Sequence, residues 1–471
     1  MNVAISSAME AFQWSPQPKA AAWVAEMSRR LRSKLPFAET IKQRLLAEAG
    51  VRFDDLIDTI QLQYDEPILA DALAAGWVRG DDDRGREMYA NPTGVFPQLV
   101  VMHQMDVIPL SIHLKVESID DLLSAWKLGG KILGKPGMRW RWVSVAQTQE
   151  ADLGVVERMA WRAGWTETGM FNPKVTSNLL DQFRNRRREF DDDADGFDNT
   201  RALIDRAIAS VGRDITCQLF FTAEREYWMS RNRAARAQYA RQQRFGIGWA
   251  NHDHHTYRSS RKYFAQLIGI WEALGLVCRE RFYAGKEAGW GAQVMEQPVT
   301  GIVTFNDVDL SPDELMGAFA HEKLEPQSSP QNSPQSSPQS SLGTVGLWCA
   351  LHGEAFLQAG LHHLEAQFSF DALRDQLAAT EGIGMTKPFT DFPHLRQAFT
   401  EGERWPVAQQ RIAKLLDEHL ITPQQAQQFR TQGAIGSHLE NLERNDGFKG
   451  FNQTGVSQII SATDPRKHLA T

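Results

Sequence analysis

Two histidines and one glutamate, far apart along the chain, sit in segments whose side chains alternate as strand residues do. NHDHHTYRSSR carries His254 and Arg258, LHHLEAQFS carries His363, and GSHLENLERNDGF carries Glu440 and Arg444. Alternate residues of a strand share a face, so His254, Thr256 and Arg258 point one way. His363, Glu365 and Gln367 do so on the second segment, and His438, Glu440, Leu442 and Arg444 on the third. Two neutral imidazoles and one carboxylate suit a first-row divalent ion. Together they leave positions open for substrate and O2, the arrangement of non-haem Fe(II) oxygen chemistry. Arg258, two inward positions beyond His254, could grip a substrate carboxylate through paired hydrogen bonds.

Each of these residues also has a plainer reading. His362 replaces His363 if the register slips by one residue. Glu440 and Arg444 could form an i, i+4 ion pair on a helix, and Arg258 a buried structural ion pair. His255, His352 and His362 read as structural or surface histidines.

Stepping outward, the elements around these segments repeat. After residue 215, ITCQLFFTA and GIGWANHDHHTYR read as strands, and RKYFAQLIGIWEALGL (261–276) as an amphipathic helix ending at glycine. CRERFYAGK, AGWGAQVMEQ and VTGIVTFNDVDL continue with strand and hairpin character. Beyond them GLHHLEAQFSFDALRDQLAATEGIG repeats the order of His-bearing strand, helix and glycine, with Gly275 and Gly382 at similar distances from His254 and His363. A duplicated unit is expected, its last strand pair being HLENLER and SQIISATD. Between the two copies lies EPQSSPQNSPQSSPQSS (325–341), a low-complexity stretch that cannot bury a core and reads as a flexible bridge.

The first 215 residues are less informative. Residues from about 20 to 75 read as helical; VIPLSIHLKVES (107–118) and RWRWVSVAQ (139–147) read as strands, and IDDLLSAWKL (119–128) and VVERMAWRAGW as helices. The alternation predicts an N-terminal α+β domain of unknown role over 1–215. The remaining units expected are modules at 216–324 and 344–471, joined by a linker at 325–343.

With 471 residues the chain can bury ample core in several domains, and a net charge of −7 spread along it argues against nucleic acid or anionic membrane as partner. Cys217, Cys278 and Cys349 form no CxxC pair, which suggests a reducing compartment. No secretory signal or bilayer-length apolar run is evident, so a cytoplasmic protein is expected.

HDHHTYRSSR resembles the first metal strand, of form His-x-x-x-Arg, of the 2-oxoadipate dioxygenase/decarboxylase family. GSHLENLERNDGF is similar to that family's glutamate strand and to the C-terminal segment of 4-hydroxyphenylpyruvate dioxygenase, where a Glu four residues before an Arg is followed by a Gly-Phe turn. Both belong to the vicinal-oxygen-chelate superfamily, built from paired βαβββ modules that form a half-open barrel. The resemblance covers roughly residues 216–471. It implies Fe(II) held by His254, His363 and Glu440, with Arg258 as the substrate-binding and catalytic arginine. The implied reaction is oxidative decarboxylation and hydroxylation of a 2-oxo acid with O2, needing no separate 2-oxoglutarate. The chain departs from the pattern in its long N-terminal region, in its low-complexity bridge and in Ser461, which stands where related proteins often carry a longer polar side chain.

Other chemistries stay open or fall away. The same scaffold with Zn, Ni or Mn supports isomerase or lyase chemistry, and a non-catalytic binding protein is a third reading. GGKILGKP (129–136) lacks the hydroxyl residue of a phosphate loop and follows a helix. DDDADG (191–196) opens like a calcium loop, but its twelfth position is Ala202. RNRRREF (184–190) and the acidic run beside it read together as a solvated loop. No G-x-S-x-G elbow and no nucleophilic-cysteine motif is present.

Overall fold

The computed structural model describes residues 14–80, 82, 85–104, 106–136, 138–159, 172–284, 288–326 and 342–451. The metal-strand candidates lie in a mixed sheet made of β8 (His252–Arg258), β9 (Val277–Tyr283), β10 (Trp290–Glu296), β11 (Val303–Asp309), β12 (His363–Ala366), β13 (Thr390–Phe392), β14 (Leu395–Phe399), β15 (Glu403–Trp405) and β16 (Ala434–Arg444). An earlier sheet uses β1 (Ile57–Gln63), β2 (Val78–Arg79), β3 (Arg86–Ala90), β4 (Gln98–Met102), β5 (Leu110–Val116), β6 (Trp140–Gln147) and β7 (Ala151–Arg158). Helices Pro173–Arg184, Asp193–Val211, Arg213–Ser230 and Arg233–Gln243 run between the two.

In the later sheet the order is β13-β14-β16-β12-β8-β11-β10-β9. Its first half is β8, helix Phe264–Ala273, then β9, β10 and β11; its second is β12, helix Phe370–Glu381, then β13, β14 and β16. Within each half the first and last strands pair in parallel, β8 with β11 and β12 with β16. The halves meet where β8 and β12 pair antiparallel. These are two βαβββ modules about a pseudo-twofold seam, closing into a half-barrel. Each helix buries one face, Leu267, Ile268 and Trp271 in one module and Leu373 and Leu377 in the other. Each stops before a glycine of positive φ, Gly275 (88°) and Gly382 (61°), where a Cβ would strain the turn.

The earlier sheet has the same plan, which the sequence did not reveal. Its order is β2-β3-β4-β1-β5-β7-β6. β1 pairs parallel with β4 and β5 with β7, while β1 and β5 pair antiparallel at the seam. Helices Glu66–Ala74 and Ile119–Trp126 follow β1 and β5. A single bridge from Leu133 to Trp142 stands where the eighth strand would be. The chain is thus mixed α+β, built on four βαβββ-like units in two half-barrels. Met88, Val100, Met102 and Val156 pack together on one side of the earlier sheet, with Trp140 and Trp142 against them. A bidentate ion pair between Asp58 and Arg158 is buried there as well.

Several expectations are corrected. ITCQLFFTA is not a strand but the start of helix Arg213–Ser230, which is buried along most of its length; a short apolar run cannot separate a strand from a buried helix. Residues 20–75 are not helical throughout, because β1 intervenes after Pro18–Lys34 and Pro36–Ala49. VVERMAWRAGW begins as β7 rather than a helix; β7 is buried on both faces, so the alternation that marks a strand is absent. RNRRREF is no solvated loop: Arg186 and Arg188 are buried on Glu224 at 3.1 and 2.6 Å. The acidic run next to it starts helix Asp193–Val211, with Asp192 as its N-cap. Residues 327–341 of the low-complexity bridge, the strand expected at SQIISATD and Ser461 lie outside the described residues. No helix among the described residues is long and apolar enough to cross a membrane.

Candidate metal centre

Period-two alternation sorts the side chains of β8 and β12. His255 and Tyr257 turn toward the helical layer, packing on Phe221 (4.9 Å between ring centroids) and Trp271 (4.8 Å). His254, Thr256 and Arg258 line a cavity of about 80 Å³ on the other face. From β12, His363 and Glu365 line the same cavity while Leu364 and Ala366 enter the core. Glu440 of β16 completes the set, being the register partner of Glu365. The structure therefore brings His254, His363, Glu440 and Arg258 to one cavity, all buried. Phe282, Trp290, Phe305, Phe389, Phe399 and Phe451 wall it.

At its centre stands Glu365, which sequence reasoning put on the correct face but did not count among the ligands. Glu365 Oε1 lies 2.9 Å from His254 Nε2 and 2.6 Å from His363 Nε2, and accepts the Thr256 hydroxyl at 2.6 Å. His363 Nε2 is also 3.2 Å from Glu440 Oε2. Ligand atoms of His363, Glu365 and Glu440 fall within 4.8 Å of one another, whereas the expected ligand His254 stands outside that group and touches it through Glu365. The signal for Glu365 was its place two residues beyond His363, where a strand returns to the same face.

Burial and their mutual charges drive these groups in opposite directions. Burial pushes Glu365 up, but the two imidazoles outweigh it and hold the carboxyl down at about 2. Burial, with the charge of Glu365 added, raises Glu440 well above the usual carboxylate range. Burial lowers His254 too, yet Glu365 and Asp253 bring it above its ordinary value. His363 is lowered, chiefly by burial. Two adjacent desolvated carboxyls cannot both ionise without a neighbouring positive charge. Glu365 Oε2 is buried with no hydrogen-bond partner among the described residues. A donor set of two imidazoles and two carboxylates, one oxygen of which is orphaned, fits a first-row divalent ion.

The surrounding residues fix that set. Gln397 donates to Glu440 Oε1 at 3.0 Å. His363 Nδ1 meets His362 Nδ1 at 2.6 Å, so the neighbouring imidazole braces the His363 ring. His254 Nδ1 lies 3.0 Å from Asp253 Oδ1. Arg258 sits beside Asp307, with 3.5 Å between Nε and Oδ2. Its Nε and Nη1 are buried without a hydrogen-bond partner among the described residues. Burial pushes Asp307 up to about 7, so its charge does not fully offset the guanidinium. A larger cavity, about 440 Å³, opens beyond Asp253 and Arg444, but none of His254, His363, Glu365 or Glu440 lines it.

No family model and no curated protein matches the chain. Among solved structures it is similar to a protein of the glyoxalase superfamily from Ralstonia eutropha JMP134, at 13% identity over 58% of this chain and 96% of that one, with a TM-score of 0.32. A variant of 4-hydroxymandelate synthase from Streptomyces coelicolor aligns with 88% of this chain and 97% of its own at 12% identity, TM-score 0.24. Methylmalonyl-CoA epimerase from Mycobacterium tuberculosis covers 41% of this chain and 88% of its own at 10% identity, TM-score 0.23. The later sheet is a pair of βαβββ modules with His363, Glu365 and Glu440 in one buried group and His254 against Glu365.

Proposed function

We propose that the chain is a mononuclear non-haem Fe(II) dioxygenase that oxidatively decarboxylates and hydroxylates a 2-oxo acid of the 2-oxoadipate type. The observation that carries this reading is that His254 Nε2 and His363 Nε2 both meet Glu365 Oε1 in one buried cavity, with Glu440 Oε2 3.2 Å from His363 Nε2. His254, His363 and Glu440 would hold the metal, and modules at 216–324 and 344–471 would enclose it. Bound Fe(II) supplies the redox capacity toward O2 that imidazoles and carboxylates lack. One 2-oxo acid and one O2 yield CO2 and a hydroxy acid one carbon shorter, so the substrate provides every electron required.

The chain's own residues do the rest. Arg258 binds the carboxylate at the far end of the acid and sets its direction in the cavity. Asp307, raised by burial, limits the charge competing for that guanidinium. The aromatic walls exclude water, which strengthens each polar contact within. Gln397 and His362 hold Glu440 and His363 in place.

A second reading draws on Glu365. If Glu365 ligates as well, four protein donors leave two positions of an octahedral ion, enough for a chelating substrate but not for O2 besides. That would favour Zn, Ni or Mn and isomerase or lyase chemistry. Anaerobically iron-loaded protein, mixed with O2 and a panel of 2-oxo acids, tests the first reading. Stoichiometric O2 uptake and CO2 release with at least one acid is expected. Turnover with Zn or Ni under strict anaerobiosis, without O2 uptake on iron, would replace it with the second.

A further inference from the structure

We infer that Asp253 is a positioning residue, which fixes the tautomer and ring orientation of His254 so that Nε2 is presented to the metal. This rests on the reading of His254 as a ligand and adds the device that makes it one.

A metal-bound imidazole offers one ring nitrogen as a lone pair and keeps its proton on the other, and the partner of that second nitrogen decides which is which. On β8, Asp253 Oδ1 lies 3.0 Å from His254 Nδ1. A carboxylate there accepts the Nδ1 proton and leaves Nε2 free to ligate, the nitrogen that faces Glu365 at 2.9 Å. The ring is further confined by Phe451, edge-on with 4.8 Å between centroids.

Asp253 is itself anchored by three donors. Arg444 Nε reaches Oδ2 at 3.1 Å, Arg444 Nη2 reaches Oδ1 at 3.2 Å, and Gln367 Nε2 donates to Oδ2 at 3.0 Å. The remaining Arg444 nitrogen, Nη1, donates to the backbone carbonyls of Phe448 and Gly450 at 3.1 and 2.7 Å. Arg444 therefore does not enter the metal cavity. It braces the carboxylate that braces the ligand, from the same strand that carries Glu440. His363 has no such partner: its Nδ1 faces another imidazole, so the two histidines are polarised unequally.

The test uses the full chain with Co(II) or Zn(II), its affinity read by competition with a chromogenic chelator. Asp253→Asn is expected to weaken metal binding by about 10–100-fold, while the metal-free variant keeps its circular dichroism spectrum and melts at a lower temperature, because Arg444 loses its buried counter-charge. Nitrogen NMR of the Zn(II)-loaded wild type gives a readout independent of folding in the variant. His254 is expected to coordinate through Nε2 and to retain a hydrogen-bonded Nδ1 proton. Coordination through Nδ1, or an Asp253→Asn variant that binds metal as tightly as wild type, overturns the inference. His254→Ala keeps the two levels apart. If it too binds metal normally, the metal centre itself is misassigned; if it loses metal while Asp253→Asn does not, only the positioning role is lost.

Discussion

Glu365 and Glu440 are register partners on β12 and β16, two buried carboxyls side by side within reach of the same imidazole, His363 Nε2. Their pKa values are driven apart, Glu365 downward by the two histidines and Glu440 upward by burial and by Glu365. The pair thus holds one proton fewer than two neutral acids would, a state that a divalent cation can replace.

Substituting each carboxyl by its amide separates their roles. Under the dioxygenase reading Glu440→Gln loses metal by at least about tenfold, because a charged ligand becomes a weak neutral one. Glu365→Gln stays within a few-fold of wild type. Isothermal titration with Co(II) measures both. Equal losses would make Glu365 a full ligand and shift weight to the four-donor reading.

Arg258→Ala should retain stoichiometric metal and lose substrate affinity. Removing a charge-assisted bidentate contact costs roughly 2–3 kcal/mol, or about 30–150-fold in Kd for the acid. Arg258→Lys should recover only part of this, since an ammonium cannot form the paired contact. Binding of a dicarboxylic 2-oxo acid to the anaerobic metal-loaded protein checks it; an unchanged Kd would make Arg258 simply the structural partner of Asp307.

The earlier half-barrel carries no counterpart of the metal cluster among its described residues, and Asp58 there is held below the usual carboxylate range because Arg158 outweighs the effect of burial. Asp58→Ala removes the buried carboxylate that Arg158 meets at 2.8 Å, and the loss of these charge-assisted hydrogen bonds should cost about 1.5–3 kcal/mol of stability in urea denaturation. Metal affinity should not change. A loss of metal in this variant would mean that the two sheets share the chemistry.

Acid should unfold the chain partly through its buried neutral histidines. Burial lowers His113 to about 4 and His352 to about 3, against 6.5 when unperturbed. The folded chain therefore binds these protons less readily than the unfolded one. Their contribution is complete above pH 6.5 and is lost as the pH falls through that value toward about 4 and about 3. For His113 the loss amounts to at most roughly 3 kcal/mol. His113→Asn should flatten the fall in unfolding free energy between pH 6.5 and 4, and a slope equal to wild type would contradict this.

What the sequence disclosed follows from where information is local. That His254, His363 and Glu440 line one cavity was legible because a strand returns to one face every second residue. Glu365 was on the right face but was passed over, since only pairing β12 against both β8 and β16 sets it between the two imidazoles. The role of Asp253 was hidden for a similar reason: its partner Arg444 arrives from a strand 191 positions away. The plan of the earlier half-barrel was illegible because its strand order is a long-range property and its strands carry no cluster of ligand residues. ITCQLFFTA misled because β-branched and aromatic residues in a helix buried along most of its length lose the 3.6-residue pattern that marks an exposed one.

The central claim is that His254, His363 and Glu440 hold one Fe(II). It is tested most directly by the spectrum of the anaerobic Fe(II)-loaded protein during titration with a 2-oxo acid, run beside iron stoichiometry for His254→Ala, His363→Ala and Glu440→Ala. The account predicts one iron per chain in wild type, a visible charge-transfer band on addition of the acid, and loss of iron in each variant. Full iron retained in the doubly substituted His254→Ala, His363→Ala protein would contradict it.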